Sequence, residues 1–550
     1  MSDLAEPDAP LDPRSPTDRQ ETTELDLLII GGGVTGIHQL YLAVQAGWSV
    51  RLVDAGDGPG GTWFWNRYPG ARFDSESYSY GFLFSRELYE EWEWSEHYAG
   101  QPETERYFNH VVDRFDLRRH MRFGATVVGA HWDGEAARWH VETSDGSAHW
   151  ARHVVAATGV LSVPYFPAIE GRADFGGESH HTGRWPATGV DVTDKRVAVI
   201  GTGSSGVQVV PAMVDEVASL TVYQRSANWC TPLNNSPVTP AQQAELRVNF
   251  PELKEKLDTS LHGFLHEAHD RSTFDDDAEA RRAFYERMWA SPGFTKLTSN
   301  YLDLTLDPAA NAEWCAFIAD KIRAIVSDPA TAEKLIPTDH GYSEKRPPFV
   351  TGYYEAFNNP KVRLVSLAET PITRITATGV ETTAGHEEFD VIVWATGWDF
   401  GTGALHRLGI VGPDGPLTDR WADGPRTFLG LMTHGFPNLF FPGGPHAAAG
   451  NNPRYNGDQV EFVHELLERM RARGEAVVAV TADAEERWTD MVDRGAEHSP
   501  FGEGSYYFGA NIPGKPRKYL LNSGGRPKLF KEFERVRATD YAAFVFDRAG

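Results

Sequence analysis

Arg196-Val197-Ala198-Val199-Ile200-Gly201-Thr202-Gly203-Ser204-Ser205-Gly206 is the stretch on which the fold turns. A short, β-branched apolar run is what a parallel strand buried on both faces requires. It is followed by Gly-x-Gly-x-x-Gly and a helical pattern through Val217. Glycines at this spacing allow a tight turn and bring the backbone, at a helix N-terminus, close to a pyrophosphate. The same arrangement occurs earlier. Leu25–Ile30 is an apolar strand, Gly31, Gly33 and Gly36 form the loop, and a helical pattern runs to Ala46 and stops at Gly47. The chain therefore reads as α/β, with two Rossmann-like dinucleotide-binding domains. Two such units imply two nucleotide cofactors exchanging electrons.

The residues after each loop distinguish the two nucleotides. After the first, strand Ser49–Val53 ends at Asp54, about 20 residues on, where an acid accepts hydrogen bonds from ribose hydroxyls and repels a 2′-phosphate. This unit should hold FAD or NAD. After the second loop, strand Leu220–Tyr223 ends in Gln224-Arg225-Ser226. An arginine there matches a 2′-phosphate, so this unit should take NADPH, with Gly201, Thr202, Gly203, Ser204, Ser205, Gly206, Arg225 and Ser226 as its contacts.

Residues 60–72, Gly-Gly-Thr-Trp-Phe-Trp-Asn-Arg-Tyr-Pro-Gly-Ala-Arg, are dense in aromatics, glycine and arginine. Such a loop can lie against a flat ring and a diphosphate together, which favours FAD in the first unit, with Thr62, Trp63, Phe64, Trp65 and Arg72 as contacts; taken alone it reads equally as an aromatic cluster packed in the core. Two apolar strands, His153–Ala157 and Val391–Ala395, both run into Thr-Gly. The repeat marks where the chain leaves the first unit, near 160, and returns, near 395. Between them, residues 236–335 lack strand alternation and carry helical patterns, read as a helical insertion whose acidic run Asp275-Asp276-Asp277 is a solvated face. Lys345-Arg346-Pro347-Pro348 follows. The paired prolines force an extended path, so Arg346 is held on a stiff loop.

Composition bounds the function. The 550 residues carry 52 basic and 77 acidic side chains, a net charge of −25, which excludes general nucleic-acid binding and disfavours an anionic membrane surface. The two cysteines, Cys230 and Cys315, make neither a disulfide framework nor zinc-ligand spacing, so no metal is expected and a reducing cytoplasm fits. The first 22 residues, rich in Pro, Asp, Ser and Thr, read as a disordered tail and not as a signal peptide. No apolar run approaches a membrane span.

Over about residues 25–530 the chain resembles the type I Baeyer–Villiger monooxygenases. The resemblance is carried by the loop at 60–72 and by Phe175-x-Gly177-x-x-x-His181-x-x-x-Trp185-Pro186, the family's signature, whose next position here is Ala187. Trp185 separates the chain from the N- or S-oxygenating flavin-containing monooxygenases, the alternative reading, whose motif ends in Tyr or Phe. A disulfide reductase is disfavoured by the missing cysteine pair, and a non-catalytic nucleotide sensor is the rival from another class. The resemblance implies FAD held tightly, NADPH held reversibly, and insertion of one oxygen atom of O2 next to a ketone carbonyl through a C4a-peroxyflavin.

It also implies roles. Arg346 is the essential arginine, stabilising the anionic peroxide and the developing oxyanion. Asp74 sits beside it and the flavin. Lys345 joins Arg225 on the 2′-phosphate. His181 acts on coupling between domains and not on bond making. Tyr80, Val127, Asn452 and Gly397-Trp398-Asp399 lie by the flavin, and His446–Asn456, with its Ala447-Ala448-Ala449 run, lines the substrate pocket. Tyr506 stands where relatives often place Trp against the nicotinamide nucleotide. The expected organisation is FAD-binding at 23–160 and 395–550, NADPH-binding at 161–235 and 336–394, and the insertion at 236–335. The expected partners are a small ketone and O2.

Overall fold

The computed structural model describes residues 22–447 and 450–548. The expected tail lies almost wholly outside them, as do Ala448 and Ala449.

Two separate sheets carry the two glycine loops. In the first, strand Thr22–Ile30 lies between Val50–Val53 and Ala148–Ala156, parallel to both, with Leu27 opposite Val50 on one side and His153 on the other. An antiparallel meander, Val127–Asp133, Arg138–Thr143 and Ala148–Ala156, widens it. Leu439–Phe440 returns late in the chain to pair with Ala148–Ala156. The second sheet is all parallel, in the order Val362–Ser366, Ser219–Gln224, Arg196–Ile200, Val391–Trp394, Glu178–His181. In both sheets the strand leading into the glycine loop is central. The next strand lies on one side of it and a later one on the other, so a crevice opens at its carboxyl end, where α/β folds bind nucleotides.

Apolar strand faces bury against helices, as the sequence pattern requires. Leu27, Ile29 and Leu52 pack with Ile37 and Leu40 of helix Val34–Gln45 and with Phe462, Val463 and Leu466 of helix Asn452–Arg473. Val197, Val199 and Val222 pack with Val207 and Val210 of helix Ser204–Met213 and with Trp314, Phe317 and Ile322. That helix contains Pro211 and ends at Met213, short of Val217.

Residues 240–335 form helices, the longest being Pro308–Ile325. The acidic run is more than the solvated face expected of it. Asp277 caps helix Ala278–Ala290 through the Ala280 N–H at 2.9 Å. Asp276 accepts the Tyr301 hydroxyl and pairs with Arg271, each at 2.5 Å. The signature segment also contains a strand that its sequence did not announce, Glu178–His181.

His38, His153, His181 and His446 are all buried. Burial pulls their pKa values from the ordinary 6.5 down to about 3, 3, 4 and 3 respectively. Between those values and 6.5 the unfolded chain binds protons that the folded chain refuses, so stability is lost as the pH falls below 6.5. Thermal melts should show Tm falling from pH 6.5 to 4.5, with a slope steeper than one proton. A flat profile would contradict this account of the imidazoles.

Candidate active site

The two glycine loops are near copies. Gly31 and Gly201 have φ of +107° and +110°, which only glycine adopts freely. A Cβ on either would lie 2.4 Å from a carbonyl oxygen, that of Ala157 or Ala395. The repeated Ala-Thr-Gly strand ends are thus the surfaces against which the two loops close. A Cβ on Gly36 or Gly206 would lie 1.8 or 2.2 Å from the Gly31 or Gly201 oxygen, so helix and loop touch without room for a side chain. Gly33 and Gly203 are the N-cap residues of the two helices, and no side chain among the described residues caps the first amides. These open N–H groups and tight cradles fit the pyrophosphates of FAD and NADPH.

Asp54 is buried at the end of its strand. Its carboxylate accepts the Gly32 N–H at 2.5 Å and the Gly56 N–H at 2.6 Å, so it braces the first loop. Burial raises its pKa, against the lowering effect of those two amides. The aromatic loop lies on the same cradle, since a Cβ on Gly61 would be 2.7 Å from the Gly33 Cα. Trp63 donates its indole N–H to the Tyr80 hydroxyl at 2.9 Å, and Tyr80 stacks on Phe73 at 4.4 Å. Phe64 is buried beneath the Arg67 guanidinium at 4.1 Å, Arg184 covers Trp65 at 4.3 Å, and Thr62 is exposed.

The two halves meet at this loop. Tyr68 donates to the Gln208 side chain at 2.6 Å, and Gln208 donates to the Arg72 carbonyl at 2.9 Å. Gln208 lies one turn into the second nucleotide helix. Nothing local in the sequence marks it, because its partners are more than a hundred residues away.

Arg346 sits where these parts converge. One terminal nitrogen donates to the Asp74 carboxylate at 2.6 Å, and the other donates to the Ser204 hydroxyl, at the start of the second helix, at 3.2 Å. The guanidinium lies over the Phe294 ring at 5.3 Å. Asp74 is 10% exposed and Arg346 28%, so the pair is sheltered with one side open. Burial opposes the arginine's charge, but the Asp74 carboxylate, then Tyr506 and Tyr507, outweigh it, and the pKa shifts upward. Tyr506 packs on Phe400 at 5.2 Å and Tyr507 at 4.2 Å; burial raises its phenol pKa and the Arg346 charge partly offsets this.

The second loop gathers the remaining NADPH candidates. Thr202 donates to the Ser226 carbonyl at 2.9 Å, and Ser205 accepts the Thr182 hydroxyl at 3.1 Å. Lys345 donates to the Ser226 hydroxyl at 3.1 Å and pairs with Asp339 at 2.9 Å. Arg225 is exposed and no ion pair engages it among the described residues. An exposed guanidinium one residue from the serine that Lys345 holds is a receptive place for a phosphate.

His181 is 2% exposed. Its Nδ1 accepts the Gly183 N–H at 2.9 Å, so the proton sits on Nε2, which donates to the Gly397 carbonyl at 3.0 Å. The signature histidine thus joins its strand to the point where the chain turns back towards the first sheet, and is neutral at working pH.

Most of the remaining candidates have partners of their own. Arg72 turns to Glu96, at 2.9 Å, and the Tyr98 carbonyl, at 3.0 Å. Asn452 opens helix Asn452–Arg473 and is exposed. Val127 is buried in the core beneath the first sheet, two residues from Ala125, whose N–H bonds the Asp54 carbonyl at 2.9 Å. Trp398 packs on His181 at 5.6 Å, and Asp399 pairs with Lys515 at 2.5 Å.

A family model described as pyridine nucleotide-disulphide oxidoreductase matches residues 28–269. The 2-oxo-Δ3-4,5,5-trimethylcyclopentenylacetyl-CoA monooxygenase of Pseudomonas putida is 39% identical, over 96% of this chain and 99% of its own. Phenazine N-monooxygenase PhzNO1 of Lysobacter antibioticus is 39% identical, over 96% and 97%. The structure of cyclohexanone monooxygenase from Rhodococcus sp. Phi1 bound to NADP+ superposes with a TM-score of 0.94 at 38% identity, over 96% of this chain and all of that one. The paired nucleotide cradles, the aromatic loop between them and this full-length similarity have one source: the chain belongs to the Baeyer–Villiger monooxygenases, FAD- and NADPH-dependent flavoproteins that insert one oxygen atom of O2 beside a ketone carbonyl.

Proposed function

We propose that this chain converts a small ketone to its ester or lactone at the Arg346–Asp74 pair, by the balance ketone + O2 + NADPH + H+ → ester + NADP+ + H2O. FAD, when bound, supplies hydride acceptance and oxygen activation. The chain's residues position and charge the reaction. Arg346 cannot lose its proton at working pH, so it holds an anionic oxygen through N–H hydrogen bonds without transferring a proton to it. Asp74, at 2.6 Å, orients the fork and balances its charge. Ser204, at 3.2 Å, ties the same fork to the nucleotide helix, so the arginine responds to both units.

Residues 23–160 with 395–550 are proposed to hold FAD, residues 161–235 with 336–394 to hold NADPH, and 236–335 to serve as the insertion. A cytoplasmic location is supported by the two free thiols, and no described helix is long and apolar enough to cross a membrane. The sheltered Arg346–Asp74 pair carries the reading.

Its test is incubation of the holoenzyme with NADPH, O2 and, separately, a cyclic ketone, a sulfide and an aromatic amine. Ester formed in step with NADPH consumed is the expected result. Oxidation of the amine alone would replace this reading with N-oxygenation.

The phosphate reading makes its own prediction. A charge-assisted contact contributes about 1.5–3 kcal/mol, or roughly 10- to 100-fold in affinity. Arg225→Ala and Lys345→Ala should each raise KM for NADPH by about that factor and leave KM for NADH within about threefold. An equal loss for both nucleotides would remove the 2′-phosphate assignment.

A further inference from the structure

The loop that carries Arg346 is held from outside itself. Trp229 donates to the His340 carbonyl at 2.9 Å, the Gly502 N–H to the Glu344 carbonyl at 2.9 Å, and the Thr231 N–H to the Pro348 carbonyl at 3.0 Å. The stretch from Gly341 to Lys345 is the difficult part. Ser343 is buried with φ of +75°, a left-handed conformation that serine seldom adopts. Something must hold that turn. Asn311, on helix Pro308–Ile325 of the insertion, does so.

The Asn311 amide reads both backbone groups of Tyr342. Its Oδ1 accepts the Tyr342 N–H at 2.9 Å, and its Nδ2 donates to the Tyr342 carbonyl at 2.8 Å. The same Nδ2 donates to the Leu304 carbonyl at 2.9 Å, which fixes the amide's orientation. The Cys315 thiol, one turn on, donates to Oδ1 at 3.3 Å. Gly341 leaves the room required, since a Cβ there would stand 2.4 Å from Oδ1. The side chain substitutes for a neighbouring strand, pairing the residue just before the strained turn.

We infer that Asn311 is a positioning residue for oxygen insertion: its amide clamps Tyr342 and so sets the Ser343 turn that aims Lys345 at Ser226 and Arg346 at Asp74. The inference deepens the function proposed above and rests on it for the role of Arg346. It also gives the helical insertion a part in catalysis, although no residue in this clamp touches a reacting group. Loss of the amide frees the turn to relax, and a displacement of about 1 Å at a reacting group costs on the order of 100-fold in rate.

The test compares Asn311→Ala and Gly341→Ala, which break the clamp from opposite sides, with Ile318→Ala, which removes buried volume from the same helix. All are assayed as holoenzyme for Tm, NADP+ binding and ester formed per NADPH consumed. The clamp variants should form ester about 10- to 100-fold more slowly, release hydrogen peroxide in its place, keep KM for ketone within about threefold and bind NADP+ several-fold more weakly. Ile318→Ala should lower Tm with the yield of ester per NADPH unchanged. Normal yield and normal NADP+ binding in both clamp variants would overturn the inference, and so would equal losses in all three variants. A wild-type enzyme that forms no ester from any ketone would instead refute the proposed function, while NADP+ binding would still test whether Asn311 places Lys345.

Discussion

Arg346→Ala should abolish oxygen insertion while leaving the enzyme yellow and reducible. Removing one preorganised donor from a developing oxyanion costs roughly 100- to 1,000-fold. Here the loss should stand at the upper end, about 1,000-fold, because the arginine also supplies the charge of the sheltered site and the link to Ser204. Flavin reduction by NADPH should continue, since that step needs the nucleotides and not the guanidinium. Arg346→Lys restores charge without the fork, and should recover little, because one ammonium cannot reach Asp74 and Ser204 with the same geometry. Asp74 is buried, so the alanine variant also leaves a buried carboxylate without its partner. Comparison with Asp74→Asn and the double variant separates that stability cost from catalysis. Ester formation above about a tenth of the wild-type rate in Arg346→Ala, with FAD fully bound, would sink the assignment.

Alanine at Gly36 or at Gly206 should disable one nucleotide site each. The added methyl would lie 1.8 Å from the Gly31 oxygen in one case and 2.2 Å from the Gly201 oxygen in the other. Neither obstacle is a flexible side chain, so helix and loop must part. Overpacking of this kind costs about 1–3 kcal/mol, and here it falls on the amides that face the pyrophosphate. Gly36→Ala should purify without FAD. Gly206→Ala should retain FAD and lose NADP+ affinity by about 100-fold, the upper end of that range. Measuring FAD content and NADP+ titration in both variants checks the pair. Full FAD in the first, or normal NADP+ binding in the second, would mean the loops are not the cradles they are taken for.

The fold was largely legible because its determinants are short-range. An apolar strand, a glycine at positive φ and an uncapped helix start occupy a dozen consecutive residues, so both nucleotide units could be read before any packing was known. Helix ends were less legible: Pro211 lies inside the second helix, which stops at Met213. The strand Glu178–His181 was hidden because ESHH is polar and edge strands need little apolar character; its partner, Val391–Trp394, is about two hundred residues away.

The site divides in the same way. Residue type and local spacing alone determined the two cradles, the acid after one and the arginine after the other, and the extended backbone at Arg346 ahead of its paired prolines. Resemblance named Asp74 as its neighbour. Tertiary structure alone decided that the arginine also reaches Ser204, 142 residues away in sequence, that Gln208 locks the aromatic loop to the second helix, and that Arg72 turns to Glu96. The physical reason is range. A glycine's freedom or a proline's stiffness acts within its own turn of chain, whereas a charge finds its partner only after burial has brought distant segments within hydrogen-bonding distance.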